Sequence, residues 1–401
     1  MSNPNPNQRP FFTPEHEIFR QTVRSFVQKE LLPHREEWEN NKAVPKETFL
    51  KFAEQGFLGI TMPTEYGGSA CDYWYKVVFC EEMMGCRMNG FMMDVAVHTD
   101  MTMPIINMLG NEEQKKELLI PGIKGEKIFA LGITEPDGGS DVAHVRTLAR
   151  RVGDDYVING AKTYITNGSR CDYILLAVRT GPAITKENFN EAHRGMSFIL
   201  VPTKLADGSV RPGFTVGRKL VKMGNHSSDT AELSFQDMKV PARYLLGEEN
   251  RGFYYIMQNF QGERLIAAIM AIAHCHQMIA DAKKYATERK AFGQRLIDFQ
   301  VWKHRLAQLY TEVAAGQELT YRACDLHARG VRAVKEITMA KLFTSELAQK
   351  VAYECLQIHG GAGYVEEYDI SRATRDLRLL TIGAGTSEIM REILTKECEI
   401  G

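Results

Sequence analysis

A single carboxylate interrupts the apolar face of a long predicted helix, where it could act as a general base. Read at helical spacing, one stripe of this helix carries Ile256, Phe260, Glu263, Ala267, Met270 and His274. Burial removes water from a carboxyl group, raises its pKa and makes the ionised form a better proton acceptor. Glu263 is therefore a candidate for acid–base catalysis. An ion pair with Arg264 or another cation would explain the same pattern.

A glycine-rich segment, residues 131–141, is the second stretch that could do chemistry. It reads L-G-I-T-E-P-D-G-G-S-D. Two glycines followed by Ser and Asp can present backbone N–H groups and hydroxyls to a phosphate or a polar ring edge, but they could equally form a plain turn. The sequence contains no G-x-G-x-x-G, G-x-x-x-x-G-K-[ST], H-E-x-x-H or G-x-S-x-G motif. Rossmann, P-loop, zincin and hydrolase interpretations therefore have no support.

Three stretches of different periodicity would position these residues. Residues 13–126 have helical signals, beginning with the cap-like Thr13-Pro14-Glu15. Residues 127–241 alternate as β-strands do, with turns such as Asn159-Gly160 and Asn167-Gly168, which predicts an antiparallel barrel or sandwich. Residues 242–401 return to helical patterns, which we place at 251–289, 297–329, 331–359 and 386–397. Residues 1–12 are predicted to be a short disordered tail.

Methionines are concentrated between Met83 and Met108, which contain eight of the 18 in the chain. Methionine is flexible and polarizable, so the cluster could line an adaptable apolar cavity. A methionine-rich core is the alternative, and the sequence leaves both open.

Composition indicates a globular protein with several substructures. The chain has 401 residues, of which 44% are hydrophobic and 25% charged. A net charge of −1, without Lys/Arg blocks, argues against nucleic-acid binding and against a membrane surface. The longest apolar run, residues 265–273, is far shorter than the ~18 residues of a bilayer span. Eight cysteines without CxxC or zinc-finger spacing predict reduced thiols and no metal site.

Several of these segments together resemble the acyl-CoA dehydrogenase family. The first family signature is matched by residues 132–141. The second is matched by Gln357, Gly360-Gly361-Ala362-Gly363-Tyr364, Glu367, Arg372 and Asp376. Three further matches are Tyr164-Ile165-Thr166, Arg289-Lys290-Ala291-Phe292-Gly293 and Gly385-Thr386-Ser387-Glu388. The resemblance implies an α+β fold with an N-terminal all-α domain, a middle antiparallel β-barrel domain and a C-terminal four-helix-bundle domain.

The resemblance also implies FAD, bound non-covalently between the β domain and the C-terminal helices. The flavin ring and its polar edge would contact Leu131, Ile133, Thr134, Gly139 and Ser140, with Tyr164, Ile165 and Thr166 on the other side. Many relatives have Trp at position 164, and Tyr164 keeps an aromatic surface there. The ribityl and diphosphate region would be held by Thr386, Ser387 and Glu388.

A second set of residues would reach the FAD of a neighbouring subunit. By resemblance these are Arg289, Phe292, Gln300, Gln357, Gly360 and Gly361, with Arg289 as the diphosphate partner. One chain would then have an incomplete site. A homotetramer built as a dimer of dimers is expected.

Position 384 departs from the commonest pattern of the family. Most short- and medium-chain members carry the catalytic Glu there, but this chain has Ala384, which cannot accept a proton. The isovaleryl-CoA and long-chain branches place the base on the long helix in a Glu-Arg pair, which Glu263-Arg264 matches. The resemblance therefore implies Glu263 as the catalytic base. Residues near the acyl-CoA would be Ser140, Tyr254, Gln261, Arg264, Ala384 and Gly385, although helix packing alone would also explain Tyr254 and Gln261.

The resulting expectation is FAD-dependent α,β-dehydrogenation of a branched or long-chain acyl-CoA to the trans-2-enoyl-CoA. Electrons would pass to an electron-transferring flavoprotein. Alternatives are an acyl-CoA oxidase that uses O₂ and a catalytically silent flavoprotein scaffold, while a DNA-binding relative is disfavoured by the near-zero net charge. The N-terminal segment lacks targeting features, which favours a bacterial cytoplasm. A mitochondrial matrix protein without its targeting peptide would look the same.

Overall fold

Helices make up the N-terminal part of the computed structural model, which describes residues 11–400. They are α1 Pro14–Phe26, α2 Arg35–Asn41, α3 Thr48–Glu54, α4 Tyr73–Met83, α5 Asn89–Ala96, α6 Met103–Leu109 and α7 Glu112–Ile123. The predicted start of α1 is confirmed, since Thr13 caps the helix and Pro14 lies in its first turn. A π-helical turn, Val97–Thr102, joins α5 to α6. Such turns often occur at functional sites.

The predicted disordered tail, residues 1–12, falls mostly outside the described residues. Its last two residues, however, are packed. The ring of Phe11 stacks on Trp74 with centroids 4.6 Å apart, and Phe12 is only 7% exposed. For these two residues the prediction was wrong, because adjacent aromatic side chains gain enough from burial to fix the chain.

The methionine-rich stretch forms part of the N-terminal hydrophobic core. Its buried members are Met83, Met84, Met88, Met92, Met101 and Met103, while Met93 is half-buried and Met108 is exposed. Most of them belong to one core cluster that also contains Phe52, Phe79 and Phe91. The core explanation left open by the sequence therefore accounts for this cluster.

The middle of the chain forms one mixed sheet. Its strands are β1 Phe129–Gly132, β2 Leu148–Val152, β3 Asp155–Thr166, β4 Tyr173–Arg179, β5 Met196–Pro202, β6 Phe214–Lys219, β7 Thr230–Pro241 and β8 Leu245–Leu246. The strand order is β6-β7-β3-β2-β4-β5-β8, with β1 added on β4. Among the described residues the sheet is open, with β6 and β8 at the two ends of this strand order.

Strand pairing differs from the predicted antiparallel barrel in two places. β1 runs parallel to β4, with Phe129 opposite Tyr173, and β2 meets β4 in parallel where Leu148 lies opposite Arg179. The remaining pairs of the sheet are antiparallel. Parallel neighbours need a long crossover. The segment between β1 and β4 is long enough to be such a crossover. The sequence could not predict the parallel pairs, because the alternation of side chains along a strand is the same for both strand directions.

Long helices follow the sheet and build the C-terminal part. The elements are α8 Gly252–Glu288, a hairpin of β9 Lys290–Ala291 and β10 Gln294–Arg295, then α9 Gln300–Ala328, α10 Val334–His359, α11 Asp369–Leu377 and α12 Ser387–Glu397. The four predicted helices are present, with ends within three residues of the predicted ones. α10 packs against α8, α9, α11 and α12. The short α11 was not predicted.

α8 is the central element, because it packs against the N-terminal helices, the sheet and the other C-terminal helices. It is long and apolar enough to cross a membrane by composition alone. However, 72% of its most apolar 18-residue window is buried inside the protein. That degree of burial is expected of the core helix of a globular protein.

The loop after β6 joins all three parts of the structure. The main-chain N–H of Asn225 donates to Asp376 Oδ1 at 2.5 Å, and Asn89 Nδ2 donates to Asn225 Oδ1 at 2.6 Å. Phe91 N–H donates to Ser227 Oγ at 3.1 Å. These bonds connect α5, the loop and α11, and they hold the sheet in a fixed position between the two helical parts.

Candidate active site

Glu263 lies in the interior of α8, as its place in the apolar stripe predicted. It is 6% exposed. Burial raises the pKa of its carboxyl to about 7, while the Arg264 guanidinium and a hydrogen bond from Asn259 oppose part of the rise. A carboxyl with such a pKa is partly ionised at neutral pH and is a stronger base than an exposed one. The group is therefore able to accept a proton from a substrate.

Asn259, which the sequence reasoning missed, holds the Glu263 carboxylate. Its Nδ2 donates to Glu263 Oε1 at 2.8 Å and to the main-chain oxygen of Met101 at 3.0 Å. Met101 lies in the π-helical turn Val97–Thr102. Asn259 precedes Glu263 by four residues, a spacing that places two side chains on one helix face. That spacing was the signal that could have identified it.

The loop between α11 and α12 lies against the residue that follows Glu263. A Cβ added at Gly385 would be 3.8 Å from both Nε and Nη2 of Arg264. The Gly385 carbonyl accepts a hydrogen bond from Nζ of Lys341, a buried residue of α10. The structure thus brings the Glu263-Arg264 pair and the Ala384-Gly385 loop together.

Lys341 is a second residue that the sequence reasoning missed. Burial, together with repulsion from Arg264, lowers the pKa of its ammonium to about 8. It remains mostly protonated at neutral pH and can hold the carbonyl of Gly385. A lysine at helical spacing between Ile337 and Ala348 was the available signal.

Two of the predicted cofactor segments meet at the sheet. Lys162 of β3 donates from Nζ to Ile133 O at 3.0 Å and to Glu135 Oε1 at 2.9 Å. Thr163 N–H donates to Thr134 O at 3.0 Å. These bonds fix residues 131–135 beside the end of β3. The segment that carries Leu131, Ile133, Thr134, Gly139 and Ser140 therefore adjoins Tyr164, Ile165 and Thr166.

A positive φ angle occurs at three predicted site residues other than glycine. The φ angles are 60° at Tyr164, 53° at Ala384 and 52° at Phe292. A side chain disfavours this region, and such conformations cost of order 1–3 kcal/mol and cluster at ligand sites. The strain supports a binding role for these segments.

The start of α12 has the features of a polar binding position. Thr386 Oγ1 caps the helix by accepting from Ile389 N–H at 3.2 Å. Ser387 is buried, and Glu388 is exposed. The first N–H groups of a helix and its dipole favour an anion. Phosphate groups of a ligand would be stabilised at this end.

Tyr254 and Gln261 precede Glu263 on α8. Tyr254 is 44% exposed, and the Arg251 guanidinium lies 4.6 Å from its ring centroid. Gln261 donates from Nε2 to Met257 O at 3.4 Å. Both residues are on the same helix as the candidate base. Their positions fit either contact with the substrate or ordinary packing on the helix surface.

A separate group of predicted residues lies at the far end of α8. The ring of Tyr285 stacks on His359 at 4.5 Å, which brings the ends of α8 and α10 together. The exposed residues here are Arg289, Phe292, Gln300, Gln357, Gly360 and Gly361, with Phe292 97% exposed. Arg289 follows Glu263 by 26 residues, which is about 39 Å along the helix axis. Within one chain, the structure does not bring this group to Glu263.

Buried polar atoms without hydrogen-bond partners lie on the elements around Glu263, where a polar cofactor or substrate could bind them. Nε of Arg264, Oε1 of Gln261 and Oγ of Ser387 are buried and have no hydrogen-bond partner among residues 11–400. Buried polar atoms in native proteins are normally hydrogen-bonded. Three such atoms around one loop and one helix fit a ligand with several polar groups.

Comparison with known families covers nearly the whole chain. Three family models match, described as acyl-CoA dehydrogenase N-terminal domain over residues 13–126, middle domain over residues 130–238 and C-terminal domain over residues 250–398. The long-chain specific acyl-CoA dehydrogenase of mouse mitochondria is 39% identical over 391 residues, which are 97% of this chain and 87% of that protein.

Solved structures agree. An acyl-CoA dehydrogenase from Geobacillus kaustophilus superposes with a TM-score of 0.92 at 41% identity, covering 98% of this chain and 100% of that one. A glutaryl-CoA dehydrogenase from Mycobacterium smegmatis in complex with FADH2 superposes with a TM-score of 0.87 at 29% identity, covering 96% and 95%. The chain therefore belongs to the acyl-CoA dehydrogenase family, whose members are flavoprotein oxidoreductases that act on the CH–CH group of acyl-CoA.

Proposed function

We propose that this protein catalyses FAD-dependent α,β-dehydrogenation of an acyl-CoA to the trans-2-enoyl-CoA, with Glu263 as the base. The observation that carries the proposal is the buried Glu263 carboxyl, whose pKa is raised to about 7. The next residue, Arg264, lies against the loop that carries Ala384. The side chain at position 384 cannot accept a proton. Glu263 supplies a proton acceptor from the neighbouring helix instead.

Glu263 removes the proton from the α-carbon of the acyl chain. Its folded environment keeps the carboxylate poorly solvated, so proton transfer to it is favourable at neutral pH. Asn259 and Arg264 keep part of the population ionised by stabilising the negative charge. After transfer, the neutral acid is the form that this buried site favours.

An α C–H is a weak acid, so charge on the thioester carbonyl must be stabilised as the proton leaves. We assign this task to the main-chain N–H of Ala384, in the loop held by Lys341 at the Gly385 carbonyl. A fixed main-chain donor in a buried site stabilises developing negative charge strongly. The absence of a carboxylate at position 384 does not remove this donor.

FAD, when bound, supplies the acceptor for the hydride that leaves the β-carbon. Residues 131–140 and 164–166 would hold the flavin, and Thr386, Ser387 and Glu388 would hold the ribityl and diphosphate region. The dipole at the start of α12 favours the diphosphate there. Residues Arg289, Phe292, Gln300, Gln357, Gly360 and Gly361 would serve the cofactor of a neighbouring subunit. Arg289 lies about 39 Å along the axis of α8 from Glu263, which supports this arrangement.

On this basis we propose a homotetramer, built as a dimer of dimers, that passes its electrons to an electron-transferring flavoprotein. We place it in a bacterial cytoplasm. For the acyl group we propose a branched or long chain, because the methyl group of Ala384 takes up less space than a carboxylate side chain at that position would. The similarity to a long-chain specific enzyme supports this choice. Best turnover with butyryl-CoA would contradict it.

The test of function is an anaerobic titration of the purified protein, followed at the flavin absorption band. Isovaleryl-, citronellyl-, octanoyl- and palmitoyl-CoA are compared, with Glu263→Gln beside the wild type. We expect bleaching by at least one thioester and a rate about 10²- to 10⁴-fold lower in the variant, the usual contribution of a general base. Unchanged turnover of Glu263→Gln would disprove the base assignment. A flavin band that survives every thioester would indicate the scaffold alternative, and rapid reoxidation by O₂ would indicate an oxidase.

A further inference from the structure

When Glu263 is ionised, the carboxamide of Asn259 has one favourable orientation. Its Nδ2 faces two acceptors, Glu263 Oε1 at 2.8 Å and Met101 O at 3.0 Å. If the amide nitrogen and oxygen were exchanged, Oδ1 of Asn259 would face Glu263 Oε1 and Met101 O. Neither of these oxygens carries a proton when Glu263 is ionised, so no hydrogen bond would form. Both hydrogens of the amide are thus used, one on the carboxylate and one on the main chain. The side chain links α8 to the turn Val97–Thr102.

That turn is itself fixed to the first strand of the sheet. His98 accepts from Phe129 N–H at its Nδ1, 3.2 Å away, and therefore carries its proton on Nε2, which donates to Gly122 O at 3.0 Å. His98 is fully buried, and burial lowers the pKa of its imidazole to about 4. The ring stays neutral at physiological pH, so both bonds persist.

These contacts form one continuous connection between the cofactor segment and the base. It runs from β1, which contains Leu131 and precedes Ile133, through His98 to Met101, and from there through Asn259 to Glu263. Every step is a hydrogen bond or a short piece of helix. The position of the carboxylate relative to β1 is therefore set by hydrogen bonds and not by packing alone.

We propose that Asn259 is a positioning residue that aligns the Glu263 carboxylate with the β1 cofactor segment and keeps it in its ionised form. The proposal rests on the function of Glu263 as the base. Loss of the Asn259 donor would free the carboxylate to rotate, and it would favour the neutral acid, which cannot accept a proton. In this scheme Asn259 acts through Glu263 and contacts neither the substrate nor the flavin.

Other charges near Glu263 must be considered because they act on the same carboxyl. The segments packed around this part of α8 carry Arg264 on α8 itself, Lys341 on α10, and the ion pair of Lys76 with Asp100, 3.1 Å apart. Arg264 lowers the pKa of Glu263, and Lys341 is directed to the Gly385 carbonyl. Substitution of Asn259 by a neutral residue leaves all of these charges in place.

The experiment compares Asn259→Leu and Asn259→Asp with a matched control, Gln277→Leu. Gln277 is also a half-buried amide of α8, and it donates from Nε2 to the main-chain oxygen of Met84 at 3.2 Å, away from Glu263. Asn259→Leu removes the donor. Asn259→Asp keeps the shape but replaces the donor by an acceptor that repels the carboxylate. Thermal unfolding shows whether each variant is folded.

The first readout is the pH dependence of flavin reduction by the best thioester, measured by rapid mixing. We expect the acid limb of the profile to move upward by about one pH unit in both Asn259 variants, which is roughly a tenfold lower rate below the midpoint. Thioester binding should change less than twofold, because the residue does not contact the substrate. Gln277→Leu should keep the wild-type midpoint. An unmoved midpoint in Asn259→Leu would overturn the proposal, as would an equal rate loss at every pH in Asn259→Leu and Gln277→Leu.

The second readout does not depend on turnover. Infrared difference spectra between each protein and its Glu263→Gln counterpart isolate the C=O stretch of the protonated Glu263 carboxyl, and its amplitude is followed with pH. We expect Asn259→Leu to keep this band at a pH where the wild type has lost it. Identical titrations would overturn the proposal even if the enzyme turns over. If no thioester reduces the wild-type flavin, the proposed function fails, and the infrared titration still decides the role of Asn259.

Discussion

Burial of the Glu263 carboxyl makes its protonation part of the folding equilibrium. The folded pKa is about 7, raised from an ordinary value of 4.5 by burial. A raised pKa means that the folded state binds the proton more tightly than the unfolded state. The resulting stability is fully present below pH 4.5 and is lost as the pH rises through about 7.

Glu263→Gln should remove this pH dependence. Because glutamine stays neutral, the free energy of unfolding of the variant relative to the wild type should rise by up to about 3 kcal/mol between about pH 5 and pH 8. Urea denaturation of the flavin-free proteins at several pH values measures the difference. Glu36→Gln, at a side chain that is 79% exposed, is the control and should follow the wild type. Parallel pH curves for Glu263→Gln and the wild type would contradict the raised pKa.

At the scale of residues, the sequence could identify Glu263 but not the groups that hold it. A carboxylate within an apolar stripe is visible because periodicity reports burial. The bond from Asn259 to Met101 joins positions 158 residues apart, and the bond from Lys341 to Gly385 joins α10 to the loop before α12. Such contacts depend on how the elements pack, which no local pattern encodes.

The contact between α5 and the loop after β6 is so close that a substitution at Gly90 tests how tightly the N-terminal helices pack against the sheet. A Cβ added at Gly90 would lie 2.7 Å from Asn225 O and 2.8 Å from Ser227 Oγ. Gly90→Ala should therefore lower the free energy of unfolding by about 1–3 kcal/mol, although alanine is the better helix former. Chemical denaturation gives the value.

Gly85→Ala provides the control for this substitution. The nearest atom to a Cβ added there is Val27 Cγ1 at 3.5 Å, an ordinary contact. Its stability should stay within about 0.5 kcal/mol of the wild type. A Gly90→Ala protein as stable as Gly85→Ala would show that α5 can move away from the loop at little cost.

At the scale of elements, helices were predicted more accurately than strand directions. α8, α9 and α10 are long and their periodicity spans many turns, so their ends were placed within three residues. β1 and β4 have the side-chain pattern of strands, but parallel pairing depends on the crossover between them. The nine residues of α11 follow a glycine-rich break and are too few to establish a period by themselves.

At the scale of the whole molecule, the exposed end of the C-terminal helices should be an interface between subunits. Phe292 is 97% exposed and has a left-handed backbone, although an isolated chain gains nothing from displaying a phenylalanine. In the proposed tetramer this side chain is covered. Phe292→Ser should shift the protein to smaller species and weaken FAD retention.

Mass photometry with the flavin-to-protein absorbance ratio measures both effects. Val152→Ser is the control, since Val152 is 62% exposed at the β2–β3 turn, in the sheet and not in the C-terminal helices. That variant should keep the wild-type mass and flavin content. A Phe292→Ser protein with unchanged mass and full flavin would exclude this end as the interface.

The three-part architecture was the most predictable feature of the molecule. The periodicity changes from helical to alternating and back over hundreds of residues, and the first family signature, residues 132–141, follows the first of these changes. The candidate site was only partly predictable. Its residues are distributed over β1, β3, α8 and the loop before α12, and their approach depends on the loop after β6 and on the turn Val97–Thr102.

The separation of the base on α8 from the loop at Ala384 makes the site modular. Under the proposed mechanism the loop stabilises the thioester carbonyl through its main-chain N–H. The methyl group of Ala384 therefore takes no part in the reaction. Its volume can vary without altering the proton acceptor, within the limits of a φ of 53° that favours small residues. Natural or engineered substitutions at position 384 can therefore change the shape of the acyl cavity without changing the catalytic base. An enzyme with its carboxylate on the loop has no such freedom.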